Sequence, residues 1–279
     1  MAMVINTNLA SINAVRTLDH TSLEQKTAME RLTSGLRINK AADDAAGLAV
    51  VTGMTTQIKG TDMAIRNAND GISLVQTMDG AIDEVVDMLQ RMRELGVQAL
   101  NGSYNTENRA QMNEEYDQLA AEILRIGQTT KFNDTPVMNG SASAAGPINI
   151  HAGWEVGTDN KIGITVFNVS ALGGSMAAGN NGLLQVSHAS ATISLIDTKL
   201  STLNTERAKW GALQNRLEST VSNLNNINEN MSASRSRIQD ADFARESASL
   251  ARTQVLQQAG MSMLSQANQQ SQQVLQLLQ

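Results

Sequence analysis

The side chains that could do acid–base or metal chemistry in this chain are not spaced to share a site. Adjacent carboxylates such as Asp43 and Asp44 suggest a paired acid and base, but neighbouring residues on a helix diverge by about 100° and do not share a site. The sequence contains neither a phosphate-binding loop nor a nucleophile elbow. The histidines, which we interpret as solvated or loop residues, are His20, His151 and His188. The sequence therefore predicts no catalytic, cofactor-binding or metal site, and it indicates a protein that is not an enzyme.

The composition favours long helices packed side by side. Of the 279 residues, 41% are hydrophobic but only 3% are aromatic, and the chain has two prolines. Because aromatic side chains dominate large globular cores and proline breaks helices, both values favour a mainly α protein. The net charge of −6 offers no basic surface to nucleic acid or to a membrane. The absence of cysteine excludes disulfides, and the first residues lack the features of a cleaved signal peptide.

Both ends of the chain carry apolar residues at helical spacing. The first helix is predicted from Ile5 to about Leu36, and the final one from about Asp242 to the end. The last 27 residues, Thr253 to Gln279, contain no charged side chain. Their apolar residues are too interrupted to span a bilayer and too numerous for a solvated linker. We therefore expect this tail to be buried against a partner helix or a neighbouring subunit.

Two longer segments between the ends show heptad repeats. One helix is predicted from about Ala46 to Leu100, and another begins near Ser190; a shorter helix over 106–129 folds back on the first. Polar residues at Arg207, Gln214 and Asn228 interrupt the second repeat, which weakens packing but fixes register. The residues predicted to form the core of the resulting rod are Ile58, Ile65, Ile72, Val75, Ile82, Leu89, Ile196, Leu203, Trp210, Leu217 and Leu224.

The middle of the chain loses helical spacing. Apolar residues alternate from Ile148 to Val156 and again from Ile162 to Val166, with turn residues between them, which predicts one β-hairpin. The fold class that follows is mainly α. We expect a long antiparallel helical rod with coiled-coil terminal helices, a small central β-hairpin and both termini at one end.

Two groups of sequence blocks near the ends of the chain are distinctive. The N-terminal group contains VINTNLASINA, AMERLTSGLRIN, ADDAAGLAV, RNANDGISLVQT and LQRMRELGVQALNGS; the C-terminal group contains GALQNRLES, NLNNINENMSASRSRIQDADFARE and QVLQQAGMSMLSQANQ. These blocks, which cover roughly residues 1–135 and 186–279, resemble bacterial flagellin. The chain departs from the family at Trp210, where leucine is usual, but this position of the heptad repeat still holds an apolar residue.

The resemblance implies both a domain organisation and a role. Residues 1–45 and 237–279 would form the coiled-coil inner core of a filament, and 46–139 with 186–236 its outer core. Residues 140–185 would be a short insertion in place of a large variable outer domain. The implied function is a secreted structural subunit that polymerises into the extracellular bacterial flagellum for motility. The residues implied to mediate polymerisation are Ile5, Leu9, Ile12, Val15, Leu18, Met29, Leu32, Leu250, Met261, Leu264, Val274, Leu275 and Leu278.

The resemblance also implies partners. They are other flagellin subunits, an export chaperone at the C-terminal helix, hook-associated junction and cap proteins, and the type III export apparatus. Arg91, Leu95 and Glu115 match the segment that an innate immune Toll-like receptor recognises in the family, with contacts between protofilaments as the alternative. Two other functions stay open: a hook–filament junction protein, and a surface module whose hairpin binds a ligand through Trp154.

Overall fold

The computed structural model describes residues 8–140, 146–177 and 182–276 of the chain. Ile5 and Leu278, which the resemblance assigns to polymerisation, lie outside these ranges. Within 270–276 only the helical backbone is described, so the side chains of Val274 and Leu275 lie outside the description as well.

Six helices and two small antiparallel sheets form the described part of the chain. The helices are α1 (Leu9–Ser34), α2 (Ala45–Ala99), α3 (Thr106–Thr129), α4 (Val169–Ala177), α5 (Val186–Gln239) and α6 (Phe243–Gln276). The strands are β1 (Lys131–Phe132), β2 (Thr135–Pro136), β3 (Ile148–His151) and β4 (Lys161–Ile164). The mainly α fold predicted from the sequence is confirmed, and the three longest helices begin within a few residues of their predicted positions.

The chain divides into two compact units. Unit 1 contains residues 1–58 and 229–279, and unit 2 contains residues 59–228. The long helices α2 and α5 each contribute to both units. The predicted domain boundaries follow the joints between helices instead, and they remain a prediction about the assembled filament.

In unit 1, α1 and α6 pack against each other as antiparallel helices. Near the start of α1, Asn8 Nδ2 donates to the Ala267 carbonyl at 3.0 Å. Near its end, Arg31 Nη1 lies 3.1 Å from Glu246 Oε1. The residue number rises in one helix as it falls in the other, which is the signature of antiparallel packing.

The joint between α1 and α2 is tied to the joint between α5 and α6. The α1 helix ends at Gly35, whose φ of 72° is left-handed and suits glycine. Just beyond, Arg37 N–H donates to the Gln239 carbonyl at 2.6 Å, and Ala241 N–H donates to the Gly35 carbonyl at 2.9 Å. These backbone bonds hold together two connectors that lie about 200 residues apart in the sequence.

In unit 2, α2 and α5 are also antiparallel. Contacts run from Gly96 beside Ile193, through Gly71 beside Leu217, to Asp62, which accepts a hydrogen bond from Asn228. The core between them includes Val75, Ile82, Leu89, Ile196, Leu203 and Trp210. Side chains from α3 and α4 complete this core, among them Tyr116, Ile123, Leu172 and Met176.

Two of the polar interruptions of the α5 repeat, Arg207 and Asn228, have partners across the seam. Arg207 Nε lies 2.8 Å from Asp79 Oδ1, and Arg207 Nη1 lies 2.8 Å from Asp83 Oδ1. Asp79 itself stands at a seam position of the α2 repeat. Because Arg207 meets both carboxylates in only one alignment, these ion pairs select the register of the two helices.

The prediction of one hairpin in the middle of the chain was incomplete. The predicted hairpin is present, with Ile148 opposite Ile164 and His151 opposite Lys161. However, β3 ends at His151, and the alternation seen as far as Val156 belongs to a loop. Two elements were missed, the short β1–β2 hairpin and the helix α4.

The missed helix α4 exists because of its packing rather than its intrinsic propensity. Its sequence, VSALGGSMA, contains two adjacent glycines, which are poor helix formers. A Cβ at Gly173 would lie 2.7 Å from the backbone nitrogen of Leu124 in α3. A Cβ at Gly127 in α3 would lie 2.6 Å from the backbone nitrogen of Ser170. Glycine on each helix therefore lets the two backbones meet.

Candidate assembly surface

Large apolar side chains of α1 point away from α6. Thr21 and Ala28, which are 6% and 2% exposed, mark the face of α1 that packs on α6. At 100° per residue, Ile12 and Leu23 lie on the opposite face, and they are 55% and 66% exposed. The exposed apolar residues of this helix, which we call the α1 outer face, are Leu9, Ile12, Val15, Leu23 and Met29.

The helix α6 exposes apolar residues on both sides of its contact with α1. Gly260 faces Leu18 of α1. Around the helix from Gly260, Met261 lies about 100° away on one side, and Met263 lies about 60° away on the other. These side chains are 59% and 63% exposed. The exposed large apolar residues of α6 beyond Arg252, which we call the α6 flanks, are Val255, Leu256, Met261 and Met263.

The seam between α1 and α6 is built from small side chains. Its most buried residues are Thr21, Ala28 and Thr253. The predicted polymerisation residues that line the seam, each half-buried, are Leu18, Leu32, Leu250 and Leu264. Those that remain exposed are Leu9, Ile12, Val15, Met29 and Met261. The structure thus separates the predicted set into residues that join the two helices of one chain and residues that are uncovered.

Leu23 is an exposed apolar residue that the sequence interpretation missed. It lies 14 residues after Leu9, which places both on the same face of a heptad-like helix. That spacing was available in the sequence. The residues of α6 that were noted as part of an apolar tail but not assigned to polymerisation are Val255, Leu256 and Met263.

Charge is excluded from the described side chains of α6 beyond Arg252. Some of the charged side chains of unit 1 form ion pairs, including Arg31 with Glu246 and Lys40 with Glu30. His20 Nδ1 lies 3.4 Å from Glu24 Oε1, one helical turn away, a pairing that the sequence interpretation overlooked. At the joint after α1, the hydrogen bond from Lys40 lowers the pKa of Glu30, and the backbone N–H groups of Lys40 and Asn39 lower the pKa of Asp43.

The predicted rod-core residues occupy α2 and α5. Ile65 and Ile72 are half-buried. The rest of the set, Ile58, Val75, Ile82, Leu89, Ile196, Leu203, Trp210, Leu217 and Leu224, is buried, with no member more than 8% exposed. The indole N–H of Trp210 donates to the Thr165 carbonyl at 3.0 Å. The unusual tryptophan therefore anchors the segment after β4 to α5.

The three residues that match the receptor segment differ in exposure. Arg91 Nε lies 2.8 Å from Glu115 Oε1 and joins α2 to α3 on the surface, with about half of each side chain exposed. The hydrogen bond to Glu115 raises the pKa of Arg91, which is charged at any physiological pH. Leu95, by contrast, is only 2% exposed. Arg91 and Glu115 can contact a partner directly, whereas Leu95 supports them from beneath.

Trp154, nominated as a ligand-binding aromatic, is 44% exposed in the loop after β3. A Cβ added to Gly60 of α2 would lie 2.8 Å from the Cβ of Trp154, so the loop packs closely against α2. Within the described ranges, no cluster of three or more His, Cys, Asp or Glu residues is arranged to hold a metal ion. Across those same ranges, none of the helices has the length and apolar character needed to cross a bilayer.

Both terminal regions of the chain match a known protein family. Residues 5–143 match the bacterial flagellin N-terminal helical region, and residues 193–278 match the C-terminal helical region. A flagellin of Halalkalibacterium halodurans is 44% identical over 276 residues, which cover 99% of this chain and all of the relative.

Two solved structures are also similar to this chain. A crystal structure of Bacillus cereus flagellin is 29% identical with a TM-score of 0.50, and the match covers 57% of this chain and 88% of that one. A flagellar hook-associated protein of Vibrio parahaemolyticus, described as putative, has a TM-score of 0.57 at 12% identity over 71% of this chain and all of that one. The second likeness shows the fold alone. With both terminal regions matched and a 44% identical relative aligned along its full length, this chain belongs to the bacterial flagellins, the structural subunits that polymerise into the flagellar filament.

Proposed function

We propose that copies of this chain polymerise through the α1 outer face and the α6 flanks. The observation that carries the proposal is the uncovered state of these residues: Leu9, Leu23, Val255 and Met263 are all more than 60% exposed in a single chain. Removing apolar surface from water contributes about 25 cal/mol per Å². Large exposed apolar surfaces on soluble proteins mark sites of association.

The arrangement on α6 favours contacts that do not close. A symmetric dimer would cover one flank of α6 and leave the other flank in water, because a two-fold interface uses the same patch on both copies. Apolar residues lie on both sides of the Gly260 contact, as Met261 and Met263 show. Head-to-tail contacts can cover both flanks, and they generate a helical filament when their rotation does not close into a ring.

The lack of charge on α6 supports the same proposal. Transferring an unpaired charge into a dry interface is strongly unfavourable, and 253–269 of α6 carry none. The amides and hydroxyls that replace charges there can satisfy one another across an interface. In this proposal the terminal helices form the inner core of the filament, and residues 46–139 with 186–236 form its outer core.

The uncovered helices also suggest how a free subunit is handled. An apolar α6 is an aggregation hazard in an unassembled chain, so it is suited to an export chaperone that binds an amphipathic helix in an apolar groove. Hook-associated junction and cap proteins would meet the same faces at the two ends of a filament. We further propose export through the flagellar type III apparatus to an extracellular location, and a role without catalysis.

Recognition by an innate immune receptor remains a proposal based on Arg91 and Glu115. Their ion pair is exposed and bridges α2 and α3. The same pair is equally suited to contacts between protofilaments. An Arg91→Glu, Glu115→Arg variant reverses the two charges and keeps the ion pair. Loss of receptor signalling with normal filaments would support recognition. Loss of filaments with normal signalling would support the packing role.

A charge on the uncovered face tests the main proposal. Val255 is 64% exposed, so Val255→Asp should leave the free subunit folded while raising the critical concentration for polymerisation about a hundredfold, because the aspartate would be buried unpaired. The measurement is sedimentation of filaments across a concentration series, with circular dichroism of the free subunit. Val255→Ile, which keeps the site apolar, is the matched control. Normal filaments from the aspartate variant would refute this surface.

A further inference from the structure

The exposed methionines of the described residues lie mostly on the proposed assembly surface. The four exposed ones are Met29, Met63, Met261 and Met263, each between 50% and 63% exposed. Met29 belongs to the α1 outer face and the pair on α6 to its flanks, whereas Met63 lies in unit 2 on α2. Other methionines, including Met78, Met92 and Met138, are completely buried in unit 2.

We propose that Met29, Met261 and Met263 form a redox-sensitive modification site that controls assembly. The oxidant is a peroxide or a hypohalous acid. The thioether sulfur takes one oxygen atom from hydrogen peroxide and loses two electrons, which gives the sulfoxide and releases water. Methionine sulfoxide reductases reverse this reaction, so the modification is a reversible one.

The consequence for assembly follows from the change in polarity. A thioether is an apolar, adaptable side chain, but its sulfoxide carries a strong hydrogen-bond acceptor. No charged side chain lies on α6 near Met261 and Met263 to receive it, and in the proposed interface the neutral amides and hydroxyls there, such as that of Gln258, already pair with one another. Burying an acceptor without a partner is unfavourable. Oxidised free subunits should therefore polymerise poorly.

Exposure makes the site selective for the unassembled chain. In a free subunit, the sulfurs on α1 and α6 are open to a small oxidant, whereas the buried methionines of unit 2 are shielded. In a filament, neighbouring copies would cover the same three sulfurs, because these residues belong to the proposed assembly surface. The inference therefore rests on the proposed function. Oxidation would thus block new growth while leaving existing filament intact.

The test compares each protein with itself before and after mild peroxide treatment. Peptide mass mapping should find sulfoxide at Met29, Met63, Met261 and Met263 in the free subunit, and at Met63 but not at the other three in filaments. The critical concentration of the oxidised free chain should rise about tenfold. Treatment with both methionine sulfoxide reductases should restore the original value.

Two variants identify which sulfur atoms are responsible. In a Met29→Leu, Met261→Leu, Met263→Leu variant, the ratio of critical concentrations after and before oxidation should stay near one. In Met63→Leu, which removes the exposed methionine outside the assembly surface, the ratio should rise as in the unmodified chain. An unchanged critical concentration after sulfoxide forms at all three sites, or an equal rise in the triple-leucine variant, would overturn the inference. A chain that never polymerises before oxidation would instead refute the proposed assembly surface.

Discussion

At the scale of single residues, several side chains have roles that depend on partners far away in the sequence. Trp210 occupies a heptad position that the sequence identifies, but its hydrogen-bond acceptor, the Thr165 carbonyl, lies 45 residues earlier. Arg207 interrupts an apolar seam, and its carboxylate partners Asp79 and Asp83 lie more than 120 residues away. Periodicity locates such residues on a helix face, but only tertiary packing determines what they meet there.

Truncating Trp210 should destabilise unit 2 strongly. It is 1% exposed, so Trp210→Ala leaves a cavity and removes the anchor to Thr165, at a cost of about 3–5 kcal/mol. Urea unfolding followed by circular dichroism measures the change. The matched control is Trp154→Ala, which removes a half-exposed ring and should cost less than about 1 kcal/mol. Equal effects from the two substitutions would contradict the role assigned to Trp210.

Tyr116 should make stability fall at alkaline pH. Its hydroxyl is buried and has no hydrogen-bond partner among the described residues, and burial, with a smaller effect from Asp117, raises the pKa of Tyr116 from 10.0 to about 12. The unfolded chain therefore loses this proton first as pH rises. The stabilisation is complete below about pH 10 and is lost progressively up to about pH 12, with a loss of about 1.4 kcal/mol by pH 11.

Tyr116→Phe isolates this effect. The variant should be as stable as the unmodified chain at pH 7, or more stable, because it removes an unpaired buried polar group. Between pH 10 and pH 11 its free energy of unfolding should fall less than that of the unmodified chain. Tyr104→Phe, at a half-buried tyrosine that accepts a hydrogen bond from Gln98, should retain the alkaline loss. If Tyr116→Phe and the unmodified chain lose stability in parallel, burial does not control this titration.

At the scale of elements, the sequence predicts long periodic helices well and short irregular elements poorly. The heptad rows located α2 and α5, and an apolar face at helical spacing located α3, because each pattern places its apolar residues on one side of a helix. The helix α4 has no such stripe, and its glycines argue against a helix in isolation. Likewise, alternation at 152–156 resembles a strand, but the β3–β4 pairing ends at His151, and beyond it the only strand-like backbone hydrogen bond among the described residues is that from Ala152 N–H to the Asn160 carbonyl.

The glycine contact between α3 and α4 gives a test with a neighbouring control. Gly173→Ala would press a methyl group against the backbone of Leu124 and should destabilise unit 2 by about 1–3 kcal/mol. Gly174→Ala meets nothing within 4 Å and should be neutral or stabilising by up to about 1 kcal/mol, because alanine favours the helix. Thermal unfolding of both variants measures the difference. Similar stability for the two alanine variants would mean that the backbones of α3 and α4 can separate without cost.

At the scale of the whole molecule, charge is divided unequally between the two units. Nine of the 21 Lys and Arg residues and nine of the 27 Asp and Glu residues lie in unit 1. Unit 1 is therefore neutral, and the net charge of −6 belongs entirely to unit 2. Copies can pack their unit 1 surfaces together without accumulating like charge. The sequence predicted the assembly role of the ends, but it could not separate seam residues such as Leu18 from uncovered ones such as Leu9, since that depends on how α1 and α6 face each other.

Removing the charge-free tail should separate folding from assembly. A chain that ends at Arg252 loses most of α6 but retains all of unit 2, including its core. We expect a soluble protein whose unit 2 unfolds at nearly the same temperature as in the full chain, but which forms no filaments. Electron microscopy of concentrated samples of both proteins provides the measurement. Filaments of normal length from the shortened chain would show that α6 is dispensable for assembly.

The small side chains between α1 and α6 have a consequence for broken filaments. Thr21, Ala28, Thr253 and Gly260 leave the larger apolar residues uncovered, so under the proposed assembly the copy at a fracture presents the same faces as the copy at a growing end. Every break therefore creates new sites for growth. Shearing a filament should produce fragments that act as seeds and remove the lag phase of polymerisation, so mechanical damage multiplies the ends at which free subunits can add.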